Sequence, residues 1–376
     1  MSGSKWVTDV AISQGESLHE VAQITVLHQV QRNSSPAGGW LLDAAGVETE
    51  GSAIALRFGD TARSTSFYGY VTSVAIKGAD VHHSTAASVL VPVVYTCLGP
   101  THHMQSQTNR LWTTATASYA ARTIIRAAGL RPQVQQSSRR FENLPQQSVS
   151  DFAFLRDLSD EVGLRMVANG TTISITHPLV SLRESGEELP QFRYAKDRTD
   201  TVKTWKSTAG HLDPLGGRRT RREGYSFNTT TRALLRVVAD GTQDATTTQY
   251  STRRPFANQA EAQEILAAEV RKDTLWVHGE ATVVGDCRLR PGTELAVAGG
   301  ALGPKDAGVW MVRSATHRIS VAPNRPAAGV YLTDVVLGRN RLDGLDSVPK
   351  AGRVDAIPDG AALIDGRWRA HHMGRA

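Results

Sequence analysis

The sequence SVSDFAFLRDLSDEVGLRMVANGTTISIT, residues 148–176, predicts a helix followed by a tight hairpin. Ser150 has a side chain suited to a helix N-cap, and Asp151 places a negative charge at the positive end of the helix dipole. Apolar residues then recur at helical spacing along one face: Phe152, Leu155, Leu158 and Val162. Gly163 suits a left-handed C-cap, so we expect the helix to span residues 151–162.

The rest of this stretch carries the pattern of a hairpin over residues 164–176. Two short runs of β-forming residues, 164–168 and 171–176, flank Asn169-Gly170. An Asn-Gly pair between two such runs is a strong signal for a type I′ turn. The stretch is therefore expected to fold as one helix-hairpin unit.

The composition is that of an ordinary globular protein with room for several cores. The 376 residues are 40% hydrophobic and 21% charged, which suffices for two or three domains. No apolar run approaches the roughly 20 residues of a membrane span, and the first residues lack the pattern of a secretory signal. A net charge of +6 is modest for this length and does not indicate a dedicated nucleic-acid domain. Cys97 and Cys287 have no Cys-x-x-Cys neighbour, which argues against a disulfide framework or a zinc site.

Residues 1–98 show the alternating pattern of β-strands with one buried face. The alternation runs through residues 24–30, 54–58, 68–76 and 89–97. Pro92 inside the last run indicates an edge position or a bulge. Several strands without an intervening helix predict an antiparallel sandwich or barrel domain over residues 1–98.

Residues 99–185 change character and predict a small α/β domain inserted into the β structure. Thr116 can cap a helix over residues 116–128, which Gly129 would end. Its apolar stripe consists of Ala117, Ala120, Ala121, Ile124, Ile125 and Ala128. The helix over 151–162 and the hairpin over 164–176 complete the domain.

Residues 186–340 return to a β pattern with one helix. We expect Arg183 to Asn228, which is polar and rich in glycine, to form a long exposed loop. A helix over 258–272 follows, because Asn258 and Glu261 fit a capping box. Strand patterns then occupy residues 275–284, 294–297, 309–321 and 330–339. Residues 341–376 show neither a helical nor a strand period and are expected to be a low-complexity C-terminal tail.

Histidine is the first candidate for metal binding, because the chain has three His-His pairs. They are His82-His83, His102-His103 and His371-His372. Adjacent residues on a strand point to opposite faces, and no cysteine or carboxylate stands at a zinc-ligand spacing, so we interpret them as surface residues. His28 and His317 lie within strand patterns and are interpreted as core-edge or interface residues.

No catalytic constellation is recognisable. The sequence lacks the G-x-S-x-G and H-E-x-x-H motifs of hydrolases. Asp157, Asp160 and Glu161 are grouped on a predicted helix, where they are most simply its solvated face. Gly299-Gly300 lacks phosphate-loop spacing and is interpreted as a turn. We therefore assign no catalytic, cofactor-binding or metal residues and expect no cofactor.

The remaining candidate is a basic segment. Arg218, Arg219, Arg221 and Arg222 could bind phosphates or the acidic surface of a neighbouring protein. The alternative is a solvated loop without a partner. No aromatic residues interleave with these arginines, so base-specific recognition is not supported.

The opening stretch resembles the central segment of phage tail baseplate hub proteins, through the pattern S-D-F-x-F-L-x-x-L-x-x-E-x-G. That family includes the late control protein D type, myophage hubs and the N-terminal part of VgrG-type spike proteins of type VI secretion. The matching residues are Ser150, Asp151, Phe152, Phe154, Leu155, Leu158, Glu161 and Gly163. Three further segments are similar to the family in the same order, at residues 67–74, 116–130 and 309–337.

The resemblance implies a β-rich α+β fold. It would consist of two antiparallel β-barrels like those of tail tubes, over residues 1–98 and 186–340, with the α/β insertion between them. It also implies a homotrimer in which each chain supplies two barrels. Such a trimer would join a sixfold tail tube to a threefold spike or tip and line a central channel.

The resemblance further implies which partners the chain has and where it acts. The partners would be the tail tube protein, a separate spike or tail-tip protein, other baseplate proteins and the tape measure protein. DNA or effectors would pass through the channel without sequence-specific binding. The location would be the tail of a virion or injection particle, assembled in the bacterial cytoplasm. Two other classes stay open on the sequence: a tail-associated cell-wall hydrolase, and a carbohydrate-binding or adhesin module.

Overall fold

Strands dominate the chain, as the alternating sequence patterns predict. The computed structural model describes residues 5–31, 48–59, 63–77, 88–137, 140–184, 186–197, 200–209, 220–228, 233–240, 247–251, 259–272, 274–303, 306–322, 325–340, 361–364 and 367–370. The strands of the N-terminal part are β1 (Lys5–Gly15), β2 (Val21–Gln31), β3 (Ala53–Gly59), β4 (Ser64–Ile76) and β5 (Ser88–Leu98).

The middle of the chain holds two helices among short strands. A 3-10 helix, Pro100–Gln105, leads into it. The elements that follow are β6 (Gln107–Thr116), α1 (Ala117–Ala127), β7 (Arg131–Val134), β8 (Arg140–Ser150), α2 (Asp151–Glu161), β9 (Arg165–Asn169) and β10 (Thr172–Thr176). Strands β6 and β8 pair as a two-stranded ribbon, and β7, β10 and β9 form a three-stranded sheet.

The C-terminal part returns to strands around one helix. Its elements are β11 (Gln191–Arg193), β12 (Val202–Ala209), β13 (Thr220–Asn228), β14 (Ala233–Asp240), β15 (Thr247–Ser251), α3 (Gln259–Lys272), β16 (Val277–Val284), β17 (Glu294–Ala298), β18 (Gly308–Ala322), β19 (Arg325–Arg339), β20 (Ala361–Ile364) and β21 (Arg367–Ala370). Strands β14, β13 and β15 form a small sheet of their own.

One eleven-stranded sheet joins the N-terminal and C-terminal strands. Its order is β12-β16-β19-β18-β1-β2-β5-β4-β3, with β17 pairing β18 and β11 pairing β17. The connection is the antiparallel β1–β18 ladder, in which Ile12 lies opposite His317. The fold is therefore β-rich α+β, as predicted, and the strands of the two predicted barrel domains share a sheet.

Both ends of this sheet curl back toward its middle. At the β3 end, the Phe58 ring lies 5.0 Å from the His317 ring. The Cys287 thiol donates to the Arg63 carbonyl at 3.4 Å in the same region. At the other end, the Arg193 amide donates to Thr201 Oγ1 at 2.7 Å, which brings the start of β12 beside β11.

Three large apolar clusters match the three parts of the chain. One, under the N-terminal strands, includes Ile12, Phe67 and Cys97. A second, under the C-terminal strands, surrounds Trp310. The third fills the middle domain, where Leu155 is fully buried. Burying one such side chain contributes about 1.5–3 kcal/mol, so each part has its own source of stability.

The two predicted helices of the middle domain are confirmed with their caps. The Tyr119 amide donates to Thr116 Oγ1 and the Ala153 amide donates to Ser150 Oγ, each at 3.2 Å. Gly163 has φ +68°, the left-handed conformation that its position predicts. The helix predicted over 258–272 is α3, which begins at Gln259 in the described residues; Asn258 lies outside them.

The hairpin is confirmed, but the predicted type I′ turn is wrong. Asn169 pairs with Thr172, so Gly170 and Thr171 form the two-residue loop. A type I′ turn needs positive φ at both loop residues. Only Gly170 has it, at +54°, and a positive φ at the first loop position is the requirement of a type II′ turn.

The edge or bulge predicted for Pro92 is also wrong. Strand β5 lies between β2 and β4, and its ladder with β2 runs without a register shift through the Leu27–Pro92 pair. Proline is tolerated at position 92 because its nitrogen, which has no hydrogen to donate, faces the side of β5 on which β4 ends. The ladder with β4 stops there, where the Lys77 amide donates to the Pro92 carbonyl at 2.9 Å.

Two segments predicted to lack strands contain them. The stretch from Arg183 to Asn228 holds β11, β12 and β13, so it is not one long loop. Its polar residues concealed the pattern, because β13 begins with the polar and charged run Thr220–Glu223. In the predicted tail, β20 and β21 pair as a short hairpin.

Candidate functional site

The loop between β1 and β2 inserts into the middle domain and forms the junction between that domain and the large sheet. The Ser17 amide donates to the Met166 carbonyl at 2.8 Å, and Glu16 forms an isolated bridge with Val167. Ser17 adopts φ +59°, an uncommon conformation for a residue with a side chain. The loop is thus bound to strand β9 through its backbone.

Glu20 fixes the same loop to the hairpin turn. Its Oε2 accepts a hydrogen bond from the Gly170 amide at 2.8 Å, and its Oε1 accepts one from Gln14 Nε2. The side chain is buried, which raises the pKa of Glu20, while the bonds from Gln14 and Gly170 oppose that rise.

An ion cluster around the buried Arg165 lies on the other side of the loop. Glu16 accepts from Arg313 Nε at 3.0 Å and lies 3.6 Å from Arg165 Nη1. Arg165 is buried and also donates to the Val180 carbonyl through Nη2. Burial lowers the pKa of Arg165 and the negative charge of Glu16 raises it again. The cluster therefore joins the loop, strand β9 and strand β18 by charge.

A second set of ion pairs surrounds residue 290. Arg290 lies 3.3 Å from both Glu184 and Glu187, and Arg183 lies 3.7 Å from Glu294. Burial raises the pKa of Glu294, and Arg183 opposes the rise. These pairs tie the segment after the middle domain to strand β17.

Helix α3 packs on the end of helix α2 and adds a third connection. A Cβ on Gly163 would lie 2.4 Å from the Ala268 carbonyl oxygen, so the two backbones approach as closely as glycine allows. Lys272 pairs with Asp160 at 2.5 Å beside this contact. A small cleft there is lined by Gln135, Gln136, Ser137, Val162, Leu164, Glu264 and Arg271.

His317 is a fully buried titratable group of the large sheet. Its Nε2 bonds with the Leu289 carbonyl at 3.1 Å, and its Nδ1 lies 2.9 Å from the Tyr331 hydroxyl. Burial lowers the pKa of His317 to about 4, so the ring is neutral near pH 7. His317 belongs to the core, and His28 is likewise buried, with Nε2 3.1 Å from the Tyr95 hydroxyl.

The other predicted site residues do not come together. His102 and His103 lie on the 3-10 helix, where His103 packs edge-on against Tyr70. Asp157 and Asp160 each have a side chain 65% exposed, which confirms that they belong to the solvated face of α2. His82, His83, His371 and His372 lie outside the described residues. Within the described ranges, no three His, Cys, Asp or Glu side chains converge as metal ligands would.

The basic segment lies only partly within the structure. Arg221 and Arg222 belong to strand β13, opposite Asp240 and Ala239 of β14, so they are not in a loop as predicted. Arg218 and Arg219 lie outside the described residues.

The cysteines are buried free thiols in the N-terminal core. Burial raises the pKa of Cys97 to about 11, so it remains a neutral thiol near pH 7. None of the helices in the described residues is long and apolar enough to cross a bilayer.

The junction between the loop, strand β9 and strand β18 was not predicted from the sequence. Glu16 and Arg313 are far apart in the chain, so no local spacing links them. The only sign in the sequence was the segment GESLHE, residues 15–20, between two strand patterns. It is longer than a two-residue turn requires, and it carries two carboxylates.

The fold is similar to that of known tail proteins. A 43 kDa tail protein of prophage MuSo2 from Shewanella oneidensis matches with a TM-score of 0.55 and 11% identity, over 88% of this chain and 94% of that one. The tail protein from Neisseria meningitidis matches with a TM-score of 0.55 and 11% identity, over 93% and 99%. No family profile and no curated protein matches the sequence.

A protein of type VI secretion shares the fold as well. This Escherichia coli component, itself structurally similar to T4 bacteriophage tail proteins gp27 and gp5, matches with a TM-score of 0.52 and 12% identity. The match covers 93% of this chain and 79% of that one. The chain therefore has the fold of phage tail and type VI secretion proteins, as the resemblance predicted.

Proposed function

We propose that this chain is a structural hub or distal tip protein of a phage tail or of a related contractile injection particle. The observation that carries the proposal is the fold similarity, which extends over nearly the full length of two tail proteins and most of a type VI secretion component. Similarity of this extent includes the middle domain as well as the strands. A scaffold role fits the described interior, in which charged groups form ion pairs between distant segments of the chain.

The proposed architecture is two barrels that share strand β18. The first would comprise β1 to β5, closed by the approach of Phe58 to His317. The second would comprise β16 to β19 with β11 and β12, closed by the hydrogen bond from Arg193 to Thr201. Three chains would then supply six barrels, the number needed to stack on a sixfold tube.

The proposed assembly is a homotrimer around a channel. Its partners are the tail tube protein above, a separate spike or tip protein below, other baseplate proteins and the tape measure protein. DNA or effectors pass through the channel without sequence-specific contact, and assembly occurs in the bacterial cytoplasm. In this proposal the chain is not an enzyme. The similar proteins whose names state a role are components of a phage tail or of a secretion system.

The test is the mass of the purified chain in solution. The monomer has a mass of 40.6 kDa, so light scattering separates it clearly from a trimer. We expect a trimer that appears as a ring in negative-stain images. A monomer that releases soluble fragments from bacterial cell wall would overturn the proposal in favour of a tail-associated hydrolase.

Within this assembly we place the basic segment of Arg218, Arg219, Arg221 and Arg222 against a neighbouring subunit. A strongly positive channel wall would retain DNA. We therefore expect these arginines to contact a neighbouring protein and not to face the channel. The double change Arg218→Glu with Arg219→Glu should reduce particle assembly, whereas Arg156→Glu on the exposed face of α2 should not. Normal assembly of the double variant would contradict this placement.

A further inference from the structure

One stretch of the chain is entirely free of acidic residues. Residues 81–141 contain no aspartate or glutamate, although the whole chain has 36. The arginines of this stretch are Arg110, Arg122, Arg126, Arg131, Arg139 and Arg140. The middle domain therefore begins with a region of one charge sign, and α1 lies within it.

Helix α1 presents part of this region to solvent. Its inner face is buried in the middle-domain core through Ala120, Ala121, Ile124 and Ile125. Its outer face carries Tyr119, whose exposed fraction is 60%, together with Thr123 and Arg126. Arg131 at the start of β7 and Arg140 at the start of β8 are also exposed. We call these five residues the α1 basic surface.

The arginines of this surface have no acidic partner among the described residues. Arg126, Arg131 and Arg140 make no ion pair with any described residue, whereas Arg110 in the same acid-free stretch pairs with Asp151 at 2.9 Å. Arg122 contributes to the fold differently, since its Nη2 donates to the Val134 carbonyl at 2.8 Å. The acid nearest in sequence is Glu142, two residues beyond Arg140 on β8.

The helix also lacks acids where they would stabilise it. Helices α2 and α3 each carry an acid in the first turn, Asp151 and Glu261, as the helix dipole favours. Helix α1 has none, and Arg140 pairs with its N-cap, Thr116, at the positive end of the dipole. A cation there does not stabilise the helix. Arg126, in the last turn, does favour the dipole, so helix stability accounts for Arg126 but not for Arg131 or Arg140.

We propose that the α1 basic surface docks an acidic, carboxylate-rich segment of a partner protein. Arginine and tyrosine are enriched at protein interfaces, and arginine binds carboxylates through two parallel hydrogen bonds. Nucleic-acid binding draws its affinity from many phosphate contacts, and three free arginines are few for that purpose. The inference rests on α1 and its neighbours and does not depend on the proposed tail function.

The test measures binding of a labelled oligoglutamate peptide to the full chain at low salt, by fluorescence anisotropy. The variant Arg126→Glu with Arg131→Glu should weaken binding by about tenfold or more, because two attractive contacts become repulsive. Arg156→Glu, on α2 and outside the surface, is the matched control and should bind as the unchanged chain does. Circular dichroism and a melting curve establish that both variants fold.

Each outcome supports or overturns the proposal. Loss of binding in the double variant alone supports it. Absence of peptide binding, or an equal loss in the control, overturns it. Tighter binding of a labelled oligothymidylate than of oligoglutamate would assign the surface to nucleic acid instead. If the chain associates with itself in a salt-sensitive way and the double variant does not, a second copy of the chain is the partner of this surface. That outcome also overturns the proposal.

Discussion

The carboxylate of Glu20 accepts a hydrogen bond from the amide of Gly170 at 2.8 Å, across 150 residues of chain. This contact joins the loop after the first strand to the turn of the middle-domain hairpin. The contact requires the turn conformation of Gly170, which occupies the first loop position and has a positive φ. Glu20 thus acts together with the Ser17 backbone bond and the Glu16 ion pairs to hold the middle domain on the sheet.

We expect Glu20→Ala to destabilise the chain by about 1–3 kcal/mol, because the partly buried Gly170 amide loses its acceptor. Glu20→Gln keeps an acceptor oxygen and removes the cost of a buried charge, so its loss should be smaller. Urea denaturation of both variants tests this. Equal losses would indicate that the hydrogen bond to Gly170 is not the important contact.

Gly163→Ala should be much more destabilising than Gly129→Ala. Both glycines follow a helix with positive φ, +68° and +74°, so both variants bear a conformational cost of roughly 1–2 kcal/mol. A Cβ at Gly129 meets nothing within 4 Å, whereas at Gly163 it would lie 2.4 Å from the Ala268 carbonyl oxygen. The difference between the two melting temperatures measures the α2–α3 contact, and similar values would show that α3 moves aside freely.

Glu16→Ala should cost about 3 kcal/mol, since it leaves Arg165 buried without its carboxylate partner. The second change Arg165→Met should recover part of that loss, so the double-mutant cycle is not additive. Glu280→Ala is the control, because its pair with Lys206 is exposed and worth less than about 1 kcal/mol. Additive effects at Glu16 and Arg165 would contradict an energetic coupling between them.

His317 should make the fold sensitive to acid. Its pKa is lowered to about 4 in the folded chain against 6.5 for a free side chain, so the unfolded state binds the proton first as pH falls. Its contribution to stability is therefore complete above pH 6.5 and is lost between pH 6.5 and about 4, at about 1.4 kcal/mol per pH unit.

The variant His317→Gln should have a shallower dependence of unfolding free energy on pH in this window, by about one proton. His177, with its pKa lowered to about 3, acts in the same direction, and the raised pKa values of Glu20 and Glu294 act in the opposite one. All three remain in the variant, so the difference between slopes isolates His317. The exposed His103→Gln is the control, and an unchanged slope in His317→Gln would contradict the prediction.

Local sequence signals located the helices well because each carries its own cap and stripe. Ser150 caps the start of α2 and Thr116 caps the start of α1. Gly163 follows the C-cap of α2 and ends the helix. All three roles follow from chemistry within a few residues. The existence of strands β2 to β5 followed from alternation in the same way. These features need no information from distant parts of the chain.

Contacts between distant residues could not be predicted from such signals. The sequence around Pro92 gave no information that β4 stops opposite it, and nothing near Glu16 indicates Arg313. Strand β13 was missed because its sequence does not alternate between apolar and polar residues, although its ladder with β14 is regular. Its place depends on pairing partners, which spacing within one segment does not encode.

The pairing of β1 with β18 has a consequence for how the chain folds. The residues opposite β1, from Ser314 to Ser320, are synthesised only after most of the chain has left the ribosome. Until then one edge of β1 has no partner from its own chain, and an unpaired edge strand is prone to associate with other chains. Completing the sheet requires closure of a loop of about three hundred residues, which predicts slow folding with a late step that unites the two ends of the chain.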